Sequence, residues 1–465
     1  MPLPRKWLVM AAVAMSTFLA TIDGSIVNVA LPTLVAELDT IFPVAQWVIL
    51  AYLLMQTTLM PGVGRLGDIL GKKRIYVAGV AVFTLGSVLC GLSPTVYWLI
   101  AARAVQAVGS AMALGLGMAI VTEAFPPAER GKALGLNGTF VSIGIVLGPT
   151  VGGLIWDVAS WPWIFFVNLP IGLIGLALAW RYIPDTRPDG RQPFDFVGAL
   201  TLFVTLLALL LALTLGQQFG FSDGRIVALF ALSLLCLLLF LRVEWRQPHP
   251  LLDLRLFRRR RFSVGLLTGS LVFMTIAGAT LLLPFYLQLM RGYNTRQVGL
   301  MMALIPLFLG VVAPLAGAAS DRYGARRITA VGLFIAALGY AAMSQLGPET
   351  SLLAYALAVM PLGLGMGLFQ SPNNSAIMGA APPERLGVAS GLLGLSRTLG
   401  QTTGIAIFGA LWAGWVARYA GAPLPGGATV APIPAQLTAL HHTFLAMMGL
   451  LLLALALNVW GNRRE

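Results

Sequence analysis

About twenty consecutive apolar residues are enough to carry a helix across a bilayer, and this chain repeats such runs along its whole length. They fall near 7–35, 44–66, 75–92, 96–123, 133–156, 163–182, 196–216, 225–242, 263–289, 298–318, 328–346, 352–379, 388–417 and 437–460. About fourteen runs leave little choice of fold. In lipid every backbone N–H and C=O must find a partner inside the protein, so the expectation is an all-α integral membrane bundle. Of 465 residues, 58% are hydrophobic and 10% charged, more apolar surface than a water-soluble core could hide.

The first run follows Arg5 and Lys6 and is far longer than a signal-peptide core, so it reads as an uncleaved first span. Of the 30 Lys and Arg, 24 fall on the side of the termini and four on the other, with Arg103 and Arg397 inside spans. The positive-inside rule then places both termini in the cytoplasm. The net charge of +13 is spread over short loops, with no aromatic-rich basic domain, so nucleic acid is not the expected partner. Cys90 and Cys236 both lie inside apolar runs and are not expected to form a disulfide.

A short loop occurs twice. GRLGDILGKKR (64–74) aligns with GAASDRYGARR (317–327), matching Gly64, Asp68, Gly71 and Arg74 with Gly317, Asp321, Gly324 and Arg327. A second pair, PPAERGKALGLNG (126–138) and PPERLGVASGLLG (382–394), matches with one residue of slip. These repeats predict two related halves of six spans, 1–183 and 263–465, with two inserted helices and a linker over 184–262. The stretch RVEWRQPHPLLDLRLFRRRRF (242–262) reads as a positively charged topology anchor or as an interfacial helix on anionic lipid.

Further motifs occur in order: LATIDGSIVNVALP (19–32), RAVQAVGSA (103–111), GIVLGPTVGG (144–153) and WPWIFFVNLPIG (161–172). With the loop of 64–74, they make the chain resemble the 14-span drug:proton antiporter family of the major facilitator superfamily, over its whole length. The resemblance implies the major facilitator fold and multidrug efflux, a source of antibiotic resistance, from the cell inner membrane. It also implies that the span-1 acid serves coupling. By the same resemblance, Gly64, Arg65, Asp68, Gly71, Arg74, Asp321, Gly324 and Arg327 latch the cytoplasmic helix ends in the outward-open state. Gly144, Gly148, Pro149, Gly152 and Gly153 would seal the contact between the halves against leak. Arg65 has no counterpart in the second loop, which implies a weaker second latch.

Asp23 is the one carboxylate placed deep inside a span, and an ionisable group there is a functional hypothesis by default. Leaving water favours a neutral carboxyl, while a nearby cation favours the charged one. That opposition suits a group that loads and releases protons. Arg103 is the natural partner, with Gln106 one turn along. A static pair pinning span 1 to span 4 is the other reading. Gly144, Gly148 and Gly152 form an i, i+4, i+8 stripe that a second helix can approach closely, and Pro149 should kink that span.

Polar, aromatic or soft apolar groups inside spans are cavity candidates: Asn28, Tyr52, Gln56, Gln106, Gln288, Met301, Phe308, Gln370, Asn373, Asn374 and Arg397. Arg397 has no intramembrane acid in its own half. It would snorkel or bond backbone carbonyls. Two arginines and one aspartate in the membrane suit neutral, monocationic or anionic amphiphiles better than dications. No cluster of acids, histidines or metal ligands marks a catalytic or metal site, and no Walker loop is present. The expected activity is therefore proton-driven export of amphiphilic compounds by alternating access, with protons as coupling ion and no cofactor. A specific-metabolite exporter is the alternative. A monomer is expected. A periplasmic adaptor and outer-membrane channel are open as partners.

Overall fold

The computed structural model describes residues 3–461 except 41, 46, 186–193, 248–249, 253, 294, 422–427 and 429–430. Among the described residues no strand occurs, and fourteen long helices carry the chain. They are α1 Leu3–Glu37, α2 Trp47–Leu70, α3 Lys72–Gly91, α4 Val96–Ala124, α5 Arg130–Val158, α6 Asn168–Tyr182, α7 Phe196–Phe219, α8 Gly224–Arg246, α9 Arg260–Phe285, α10 Leu304–Tyr323, α11 Ala325–Met343, α12 Leu352–Ala380, α13 Leu386–Ala420 and α14 Ile433–Gly461. Thirteen of these spans, some with a short helix before or after, are long and apolar enough to cross a membrane. The exception is α13, whose middle carries Arg397, Thr398, Gln401, Thr402 and Thr403. Its polar stretch is tolerable because it faces the protein interior rather than lipid.

Leucines of α8 such as Leu234, Leu235 and Leu238 are more than half exposed. In water such a face would be a liability; in a bilayer it is the solvent-facing surface. The inserted helices α7 and α8 pack on each other, with Ser233 donating to the Thr205 carbonyl at 2.9 Å, and α7 rests on α2 and α13.

The linker corrects one expectation. Among its described residues no interfacial helix forms between α8 and α9, where the 3₁₀ turn Leu254–Arg258 occurs. Leu251, Leu252 and Leu256 instead turn inward onto Leu202, Leu206, Phe240 and Phe262. Buried Glu244, within electrostatic reach of Arg65, holds the fold-back by accepting from the Leu251 and Leu252 amides at 3.1 Å each. Burial of these three leucines favours the fold-back over a helix lying flat on its apolar face.

The repeated loops take the same shape. Gly71 and Gly324 have φ of 97° and 90°, where a Cβ is strained. Gly71→Ala should cost about 1–2 kcal/mol, readable as a lower melting temperature in detergent. An unchanged melt would show that the turn relaxes.

The two halves meet through α2 on α13 and through α5 on α10. These contacts are near-mirror copies. Gly64 lies against the Gly387 backbone, and Gly317 against that of Gly131. The structure also extends the repeat. A constant offset of 256 residues relates α4 to α12 and α5 to α13, as in Gly138 with Gly394 and Gly144 with Gly400.

Candidate transport site

Asp23 sits in the middle of α1 with no exposed surface. Arg103 Nη1 on α4 donates to Asp23 Oδ2 at 2.5 Å and to Gln106 Oε1 at 2.6 Å. Gln106 Nε2 returns to Asp23 Oδ1 at 2.9 Å, and Asn168 Nδ2 on α6 reaches the same oxygen at 2.7 Å. Ser87 on α3 accepts from Gln106 Nε2 and Asn168 Nδ2 at 2.8 and 3.3 Å. Arg103 Nε donates to the Val48 carbonyl at 3.1 Å, and its guanidinium lies 4.2 Å from the Tyr52 ring centroid. Four helices of the first half thus converge on one carboxylate, and a buried charge needs such company. Asn168 and Ser87 escaped the sequence reading. Asn168 lay within the WPWIFFVNLPIG motif, but an Asn near a helix start reads first as a cap.

Gly144, Gly148 and Gly152 correct a second expectation. The stripe faces α1 of its own half: Cβ atoms there would meet Thr21, Ser25 and Ile26 respectively. The contact between halves on α5 is made instead by Gly131, Gly135 and Thr139, whose Oγ1 donates to the Gly310 carbonyl at 2.7 Å. The stripe lets α1 approach closely enough to fix Asp23. Gly148→Leu should therefore displace α1 and cost about 1–3 kcal/mol by overpacking, together with most transport. Normal uptake of cargo into inverted vesicles by this variant would rule that out. The surroundings of Asn28, Pro149 and Gly153 lie outside what is described.

At one end of the bundle the repeated aspartates reach across to the other half. Asp68 accepts from the Gly387 and Val388 amides at 2.9 and 3.0 Å, at the start of α13. Asp321 accepts from Gly131 and Lys132 at 2.9 and 3.1 Å, at the start of α5. Each carboxylate satisfies orphan N–H groups at a helix N-terminus, where the dipole also favours negative charge. Asp68 additionally holds Lys72 at 3.0 Å, and Lys72 holds Glu123 at 2.8 Å. Among the described residues Asp321 has no basic partner. Arg65 is buried, Arg74 lies 3.9 Å from Asp185, and Arg327 is exposed.

Between the halves lies a cavity of about 390 Å³. Tyr52, Gln56, Gln370, Asn374 and Arg397 line it, and so does Gln401. Tyr52 and Gln56 are already committed to Ser110, at 2.7 and 2.6 Å. Gln106 is turned away from the cavity to Asp23. Asn373, Gln288, Met301 and Phe308 are corrections, since none is on the wall. Asn373 donates to the Gly265 carbonyl at 3.1 Å. Gln288 is exposed in the π-turn Tyr286–Met290. Met301 joins the core of the second half, and Phe308 backs onto Gly363 of α12. A spacing of one turn marks a face but not what the face meets.

The Major Facilitator Superfamily profile matches residues 13–405. The riboflavin transporter RibZ of Clostridioides difficile is 35% identical over 88% of this chain and 89% of its own length. The multidrug resistance protein Stp of Mycobacterium tuberculosis is 34% identical over 88% of this chain and 76% of its own. The crystal structure of the human organic anion transporter MFSD10 superposes with a TM-score of 0.70 at 18% identity, over 98% of this chain and 100% of that one, and speaks to the fold alone. Thirteen membrane-length helices, two halves around a polar-dotted cavity and this match over most of the chain lead to one conclusion: the protein is a multi-pass membrane transporter, not an enzyme, and it belongs to the Major Facilitator Superfamily.

Proposed function

We propose that the protein is a proton-coupled exporter of amphiphilic compounds in the cell inner membrane, with both termini cytoplasmic. The observation that carries this reading is the Asp23–Arg103 pair. One face of Arg103 reaches the cavity wall while its Nη1 holds a fully buried carboxylate. A proton on Asp23 would release the guanidinium toward the cavity, and loss of that proton would recapture it. Proton and cargo then compete for the same arginine, which is the differential binding that exchange requires. The paired aspartate latches supply the rocking element. Made, they shut the basic end of the bundle; broken, they open it.

A second reading, export of one particular metabolite, is favoured by the relative named as a riboflavin transporter. The test is made in sealed proteoliposomes with a trapped pH dye. Amphiphiles of each charge type, and riboflavin, are added singly. Cargo-triggered proton movement with several amphiphiles supports drug export. Movement with riboflavin alone supports the metabolite reading. No proton movement, with cargo still transported, would refute coupling.

A further inference from the structure

At four paired positions repeat symmetry sets unlike chemistry on facing parts of the cavity wall. On the second half, Gln370 and Asn374 stand one turn apart on α12, and Arg397 and Gln401 one turn apart on α13. The 256-residue offset maps these four onto Leu114, Met118, Val141 and Ile145 of α4 and α5, and all four of those line the same cavity. In each of these four pairs both members face the cavity, polar on the second half and apolar on the first; Asn137 and Leu393, also on the wall, show the reverse. The coupling cluster shows the converse. Arg103 and Gln106 map by the same offset onto Val359 and Leu362, so the second half holds no counterpart of the proton site.

Two facts give the polar wall a direction. Among the described residues, Gln370, Asn374, Arg397 and Gln401 have no hydrogen-bond or ion-pair partner. The guanidinium carbon of Arg397 lies 4.9 Å from the Phe273 ring centroid. The second fact is the missing counter-charge. Among the described residues the cavity wall carries Arg103 and Arg397 and no carboxylate, because Asp23 is sealed behind Arg103. An unpaired guanidinium in a low-dielectric cavity is costly until an anion reaches it, and a carboxylate matches its fork. Three carboxamides beside it offer donors and acceptors to neighbouring polar groups.

Resting on the transport cavity described above, we propose that Arg397, with Gln370, Asn374 and Gln401, forms the head-group subsite for a carboxylate-bearing amphiphile. The apolar body lies on the first half, against Leu114, Met118, Val141 and Ile145. The duplicated fold has divided its labour: the first half handles the proton, and the second reads the cargo's charge.

The experiment is a calorimetric titration of the purified full-length protein with three ligands of one shape. They are naphthylacetate, its neutral amide, and naphthylethylammonium. The acid should bind about tenfold to a hundredfold tighter than the ammonium, the range of one charge-assisted hydrogen bond. Arg397→Gln should collapse that preference to within about threefold, and Arg397→Lys should keep a preference for the acid, which also controls for folding. The assignment is overturned if the ammonium binds as well as the acid, if Arg397→Gln leaves the preference intact, or if none of the three binds. Binding is read here without proton movement. A lost charge preference therefore leaves Asp23-coupled export standing, and uncoupled transport with an intact preference leaves this subsite standing.

Discussion

Asp23→Asn is expected to abolish cargo-driven proton movement, by at least about a hundredfold, and to lower thermal stability as well. The two effects have different causes. Asn keeps the shape of the side chain but can neither take a proton nor balance Arg103. The guanidinium stays buried, 1% exposed, with its counter-charge gone. Breaking a buried ion pair from one side costs about 3–5 kcal/mol in water-soluble proteins, and bundles in lipid give smaller values. A static strut between α1 and α4 would predict only the stability loss. The double variant Asp23→Asn with Arg103→Gln separates the two readings, because it removes both charges. It should regain most of the melting temperature and none of the coupling. Wild-type proton movement in that double variant would refute a coupling role for Asp23.

Asp68→Asn should move the conformational balance more than any other single change outside the cavity. Asp68 joins α2 to the start of α13 through two amide hydrogen bonds and also holds Lys72. All of these bonds cross between the halves or stiffen the loop that does. Losing the charge weakens each of them, and a coupling loss of about 1–3 kcal/mol corresponds to about five- to 150-fold in the ratio of the two states. Spin labels at Leu70 and Glu384 should report a short distance in the wild type and a larger, broader one in the variant. Asp321→Asn should shift the same distance less, since Asp321 holds two amides but no lysine. Equal shifts from the two variants would show that Lys72 contributes nothing to the latch, and an unchanged distance in Asp68→Asn would show that this carboxylate does not hold the closed end.

Much of this was legible along the chain, for a physical reason. A bilayer sets the length of a span and forbids unpaired backbone, so apolar runs alone yield a helical bundle. A lone acid in such runs needs a base, and of the two intramembrane arginines Arg103 lies in the same half, so Asp23 and Arg103 could be matched across 80 positions. The loop duplication likewise showed itself as identical residue types at identical spacing.

The rest needed the tertiary structure. Spacing on one helix says which residues share a face, never which helix that face meets. The Gly144–Gly152 stripe could have met either half, and only the fold sets it on α1 beside Asp23. The linker's arginines suggested a lipid surface, yet its leucines and Glu244 decide the fold-back. Asn373 and Asn374 are adjacent in sequence, but one serves the α9 backbone and the other faces the cavity. What the chain determined by itself was the medium, the number of spans, the duplication and the one acid–base pair. What only the packing decided was the sealing of Asp23 away from the cavity and the unpaired charge of Arg397 within it, because exposure is a property of neighbours and not of position in the chain.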